Sequence, residues 1–127
     1  MIQKFSVVRV IDNSGSKKAK CIHLYKGFRR RYAKIGDMIK VTLLNAKVKK
    51  HKKIKLKKGQ LIKAVVVQTK YGRKDYSGNS HSFKENGIAL ISERKKFIGT
   101  KLYVPVLRSF RSTKYARLTN IGRSILK

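Results

Sequence analysis

Acidic side chains are almost missing from this chain: 5 Asp and Glu stand against 34 Lys and Arg in 127 residues. Asp12, Asp37, Asp75, Glu85 and Glu93 are scattered, four of them at turns, so no pair of carboxylates is set up for general acid–base hydrolysis. Cysteine is nearly absent too. Cys21 alone excludes an internal disulfide and points to a reducing compartment. Cys21 and His23 fall on one face of an expected strand and could supply two metal ligands, but zinc takes four and no second pair follows; a packed Cys21 is the expected role. His51 and His81 fall in a Lys-rich tip and a loop. No phosphate-binding P-loop, dinucleotide fingerprint or Ser-His-Asp set is present, so the residues argue against an enzyme and call for no cofactor or metal. No apolar run reaches the length of a bilayer span, and no basic amphipathic helix dominates, so a membrane is not an expected partner. The N-terminal MIQKFSVVRVID runs straight into strand-like sequence without a signal-peptide core or an Arg/Ser-rich leader, the expectation for a protein made where it works or for a mature form.

What the chain has in excess is positive charge, +29 in all. A Debye length of about 8 Å leaves many neighbouring cations within range of one another, so the chain repels itself and calls for an anionic partner. Nucleic acid is the partner this balance implies. If about ten cations met phosphates, binding would weaken with salt at a log–log slope of roughly −7 to −9. Lys outnumbers Arg and Ile outnumbers Ala, the bias of an AT-rich genome such as many organelles and some bacteria carry.

The 41% hydrophobic content suffices for one core, and 127 residues suit one domain. Residues 5–12 read as a first strand, DNSG as a turn, and residues 19–25 as a second strand. After FRRRYAKIGD, the run MIKVTLL places Ile39, Val41 and Leu43 on one face and Lys40 and Thr42 on the other. Residues 46–58, AKVKKHKKIKLKK, read as a projecting two-stranded ribbon or a disordered Lys-rich insert. The most orderly stretch, residues 64–90, is a strand (AVVVQT), a basic turn with Lys70, Arg73 and Lys74 beside Tyr71 and Tyr76, and a returning strand (GIALI). A short last strand follows the Gly99 turn. After Pro105, the three- and four-residue spacing of Val106, Leu107, Phe110, Tyr115, Leu118 and Ile121 predicts two short helices, about 105–110 and 113–120, the second capped by Ser112 or Thr113 and ended by Gly122. The fold class expected is mostly β: a small closed barrel over about 1–104 and a C-terminal helical appendage over about 105–127.

Basic clusters punctuate nearly every turn: Lys17, Lys18 and Lys20; Arg29, Arg30 and Arg31; residues 49–58; residues 70–74; residues 94–96; Arg108 and Arg111. A sequence-reading DNA-binding domain concentrates contacts on one recognition helix, whereas cations on all the loops suit a body embedded in folded RNA. Arg29, Arg30 and Arg31 are the candidates for geometric phosphate contacts, and the Lys tip for bulk affinity. A free cold-shock-like RNA chaperone would need an aromatic platform, and Tyr25, Tyr71, Tyr76 and Tyr103 are spread over strand ends and loops instead.

The residues also resemble a family. MIQ, DNSG, CI, RRYAKIGDMIKVT, KKGQLIKAVVVQTK and IGTKLYVPV look like the universal large-subunit ribosomal protein numbered fourteen, in its bacterial and organellar form, over essentially the whole chain. Ala64, Val65, Val66, Val67, Ser77, Gly78, Phe83, Asn86 and Leu90 fit the family signature in register, with Ala89 where Val is usual. The resemblance implies a five-stranded barrel with a hairpin extension and short C-terminal helices. It implies binding to large-subunit ribosomal RNA, bridges to small-subunit RNA, and contacts with ribosomal protein families three and nineteen. A ribosome-silencing factor docks on this family near the IGTK turn and last helix, which maps to Thr100, Lys101 and Arg117. Candidate RNA contacts are then Lys17, Lys18, Arg29, Arg30, Arg31, Tyr32, Lys49, Lys50, Lys52, Lys53, Lys55, Lys70, Arg73 and Lys74; Arg108 and Arg111 join the interface set. The Lys-rich tip is longer and the charge higher than in the usual bacterial form. Together with the leaderless start and the AT-type bias, this favours a mitochondrially encoded protein over a plastid or bacterial one.

Overall fold

The structure, a computed structural model, describes residues 1–46, 56–74 and 77–126. Five strands close into a barrel in the order β1 (Val7–Val10), β2 (Lys18–Leu24), β3 (Met38–Leu43), β4 (Leu61–Gln68) and β7 (Gly87–Ile91). Neighbours are antiparallel except at the seam, where β1 runs parallel to β7 with Arg9 opposite Gly87 and Val10 opposite Ile88. Closure leaves no open sheet edge in this wall.

The period-2 reading holds in β3. Ile39, Val41 and Leu43 are buried and join Val8, Val10, Ala19, Cys21, Ala64, Val66, Ile88 and Leu90 in the barrel interior. The continuous apolar runs AVVV and GIALI have a different cause, because β4 and β7 are buried on both faces. Ala64 and Val66 point inward, while Val65 and Val67, with Ala89 and Ile91 across the ladder, join a second apolar layer with Leu102, Val106, Leu107, Phe110, Tyr115 and Leu118. The C-terminal segment therefore covers the outside of the β4–β7 wall.

Three expectations are corrected. The C-terminal segment does not form two helices over 105–110 and 113–120: Val106–Leu107 is strand β8, Arg108–Ser112 is a 3-10 turn, and the single short helix α1 spans Arg117–Ile121. Two-residue β8 pairs in parallel with β9 (Ile125–Leu126), which fixes residues 106 and 107 as extended chain and delays helix formation. Thr113 Oγ1 accepts from Tyr115 N at 3.2 Å, but the cap position of α1 is Ala116, without a side-chain bond; Gly122 does follow the helix, its N–H bonded to the Leu118 carbonyl at 3.0 Å. Second, Cys21 and His23 do not share a face, because a register shift in β2 between them leaves Cys21 fully buried and His23 exposed. Third, the expected strand after Gly99 is a single bridge, Leu102 with Asp12. Within the turn between β4 and β7, a small ribbon, β5 (Arg73–Lys74) with β6 (Ser80–His81), stands where only a loop was expected. Of the projecting ribbon expected over 46–58, residues 47–55 lie outside the described residues.

Candidate nucleic-acid interface

The few acids explain how the basic surface is built. Asp37 is buried between Gly36 and the start of β3, with its Oδ2 accepting from Lys34 N at 2.8 Å. Lys26 Nζ lies 2.6 Å from Asp37 Oδ1 and Arg30 Nη2 lies 3.1 Å from Oδ2. One carboxylate thus ties down both feet of the turn that carries FRRR. Arg30 also donates through Nε to the Tyr32 carbonyl at 3.0 Å. Gly27 takes φ +90 at the first bend, open space around it, and Phe28 and Arg29 form the tip. The three arginines separate by role: Arg30 is half-buried and engaged inward, while Arg29 and Arg31 are exposed.

A cleft beside this turn joins Lys26, Arg30 and Lys34 to Tyr71, Arg73 and Lys74 on the β5 side. The backbone at Gly72 passes close to the ribbon, a would-be Cβ standing 3.3 Å from the His81 carbonyl oxygen. The Asn86 side chain accepts from Lys70 N at 2.9 Å, and its carbonyl accepts from Arg9 N at 3.0 Å. Asn86 thereby joins the ribbon's base to β1. On the other side of that joint, a groove gathers Lys17, Lys18 and Lys70 with Arg9, Val7 and Tyr103. Here Arg9 is taken up by Glu85, at 2.8 Å, which holds the Glu85 carboxyl below its usual range through that hydrogen bond and the Arg9 charge.

The DNSG turn is a second anchored point. Asp12 is buried, one oxygen accepting from Leu90 N and the other from Ser14 N, each at 2.9 Å. Asn13 Oδ1 accepts from Thr100 N at 2.9 Å and its Nδ2 donates to Thr100 Oγ1 at 2.9 Å. A Cβ on Gly99 would stand 2.5 Å from the Asp12 Cβ, so the backbone at 99 passes directly over Asp12. Two short motifs far apart in sequence, DNSG and IGTK, are one structural unit.

The family model described as Ribosomal protein L14p/L23e matches residues 1–126. The chain belongs to this family. It is a structural protein of the large ribosomal subunit, not a catalyst, it works on the ribosome, and ribosomal RNA and neighbouring ribosomal proteins are its partners.

For an L14p/L23e chain, the arrangement of charge is the informative feature. Among the described acids, Asp12 and Asp37 are buried as backbone anchors and Glu85 pairs with Arg9, which leaves exposed Glu93. Lys17, Lys18, Arg29, Arg31, Tyr32, Lys70, Arg73 and Lys74 are all exposed. Lys17, Lys18 and Lys70 share one groove and Arg73 and Lys74 share the cleft with half-buried Arg30, while Arg29 and Arg31 flank a separate depression beside Phe28. Thr100 and Lys101 lie at the DNSG–IGTK joint, and Arg108, Arg111 and Arg117 are exposed along the C-terminal segment. Lys49, Lys50, Lys52, Lys53, Lys55 and Tyr76 lie outside the described residues. Reading the sequence missed Asp37 as the organiser of the arginine turn; the signal available was its scarcity, one of 5 acids in the chain, six residues beyond a run of three arginines. It also missed Lys26 and Lys34, which line the same cleft. Among the described residues, no cluster of His, Cys, Asp or Glu could hold a metal, and no helix is long and apolar enough to cross a membrane.

Proposed function

We propose that this chain binds large-subunit ribosomal RNA through its loop cations and contributes to bridges with small-subunit RNA. The observation that carries the reading is the use of the acids: of the four described, Asp12 and Asp37 are buried and Glu85 is paired with Arg9 at the surface, so among the described residues the exposed cations far outnumber the acids left to balance them. Phosphate is the anion that many such cations at once would meet in a ribosomal subunit. Lys17, Lys18, Arg29, Arg31, Tyr32, Lys70, Arg73 and Lys74 are the proposed RNA contacts, with the lysines at 49, 50, 52, 53 and 55 adding bulk affinity. Arg30 serves chiefly to hold the turn. The face with Thr100, Lys101, Arg108, Arg111 and Arg117 is the proposed meeting place for other partners: protein families three and nineteen, small-subunit RNA, and a silencing factor at Thr100, Lys101 and Arg117. The chain is proposed to act as one domain, in a mitochondrial ribosome, on the strength of its Lys and Ile bias and raised charge.

Sedimentation tests the reading. Co-migration with the large subunit after a high-salt wash is the expected result, and a protein found only in the free pool would refute it in favour of an RNA chaperone.

A further inference from the structure

We infer that Phe28 is a stacking platform for an unpaired nucleobase, with Arg29 and Arg31 holding the phosphates on either side. The inference rests on the RNA-binding reading above and specifies one contact within it. Phe28 is fully exposed, at 105% relative accessibility, while the other exposed large apolar side chains among the described residues lie between 38% and 66%. A single exposed apolar residue is ordinary on a protein surface. This one differs in how it is held. Lys26 and Arg30, two residues before it and two after, are both tied to the buried carboxylate of Asp37, so the ring is presented at the tip of a braced turn. Phe5, by contrast, is 66% exposed and has a cation over its ring, with Lys20 Nζ 5.2 Å from the centroid.

The surroundings state what the ring can meet. A shallow depression beside it is lined by Gln3, Lys4, Arg29, Arg30 and Arg31, with no acid among them. An apolar protein partner would have to bury these cations without counter-charge, at a heavy desolvation cost. A polynucleotide supplies an apolar π-face and anions at the same spacing, and paired bases hide that face. The occupant that fits is therefore a base outside a helix, in a loop, bulge or single strand.

The chain contains no tryptophan, so Phe28→Trp places a unique fluorophore at this position. The full-length variant is titrated with a short single-stranded oligoadenylate, a blunt RNA duplex and inorganic polyphosphate, with binding followed in parallel by sedimentation. Quenching of the emission by the single strand, and much less by duplex or polyphosphate at equal occupancy, is expected. Phe28→Ala in the otherwise unchanged chain should weaken single-strand binding about tenfold, with the salt slope unchanged because no cation is removed. Equal quenching by polyphosphate, no quenching by bound single strand, or unchanged affinity in Phe28→Ala overturns the stacking role and leaves RNA binding standing. Failure of the unmodified chain to bind either RNA in a salt-dependent way overturns both.

Discussion

Replacing Asp37 should cost far more than one surface ion pair. In the folded chain its carboxylate is about 5% exposed and accepts from a backbone N–H at 2.8 Å, while Lys26 and Arg30 approach at 2.6 and 3.1 Å. A hydrogen bond to a charged acceptor contributes roughly 1.5–3 kcal/mol. The two cations are partly solvated, with side chains 54% and 31% exposed, so each pair is discounted to about 0.5–1 kcal/mol. Asp37→Ala should therefore destabilise by roughly 2.5–5 kcal/mol. Asp37→Asn keeps an acceptor for Lys34 N and loses the charge, so about half of that is expected. Urea unfolding followed by far-UV circular dichroism reads both. Added salt should narrow the gap between Asn and the unmodified chain, because only the charged part is screened. If Ala and Asn both fall within 0.5 kcal/mol of the unmodified chain, in the range of ordinary surface substitutions, the carboxylate does not brace the turn and the reasoning fails.

Further outcomes follow from other positions. Arg29→Ala with Arg31→Ala should reduce RNA affinity and make the log–log salt slope shallower by roughly 1–2, and leave stability unchanged, while Arg30→Ala should act mainly on stability; equal effects of all three on the slope would contradict the division of roles. Gly99→Ala forces a methyl to within 2.5 Å of Asp12 Cβ, and a loss of about 1–3 kcal/mol is expected in thermal unfolding. Phe110, buried in the outer layer, should cost about 3–5 kcal/mol on truncation to Ala, measured by the urea midpoint at constant m-value. Burial pushes the Cys21 thiol up, with Lys4 pulling weakly the other way. The folded state thus holds its proton longer than the unfolded one, so stability is whole below the unfolded thiol pKa and declines as pH rises from there towards the folded value. Iodoacetamide labelling at pH 8 should be many times slower in buffer than in urea, and equal rates would show that the site opens readily.

The barrel was legible where one face is buried and the other wet. Lys40 and Thr42 between Ile39, Val41 and Leu43 mark β3 directly, because alternation reports the two environments of a strand. Runs such as AVVV announce a strand by stiffness of their side chains but hide a second packing face, which became visible only with the C-terminal segment in place. That segment was misread for a physical reason. The spacing of Phe110, Tyr115 and Leu118 does report burial on one side, yet burial does not specify the hydrogen-bond pattern, and a strand pair of two residues overrides it at Val106 and Leu107. At the basic surface, the identity of the cations was plain from composition. Which of them are free was not, because Asp37 and Arg30 meet through a turn whose geometry is set by Gly27 and the backbone at Lys34.

The parallel seam between β1 and β7 has a consequence for how the chain is made. Arg9 waits for Gly87 and Val10 for Ile88, so during synthesis the first strand emerges from the exit tunnel long before its second neighbour exists. Until then β1, β2, β3 and β4 can assemble only as an open, twisted sheet whose bare edges are β1 and β4. Ring closure across such a separation is slow, since the ends must be brought together before any contact repays the lost chain freedom. Even a closed ring is unfinished, because the outer faces of Val65, Val67 and Ile91 stay wet until Val106, Phe110 and Leu118 have left the ribosome. The segment that carries Val106, Phe110 and Leu118 therefore acts as the fastening, and a chain cut off before it would carry a complete set of barrel strands and still be exposed to aggregation.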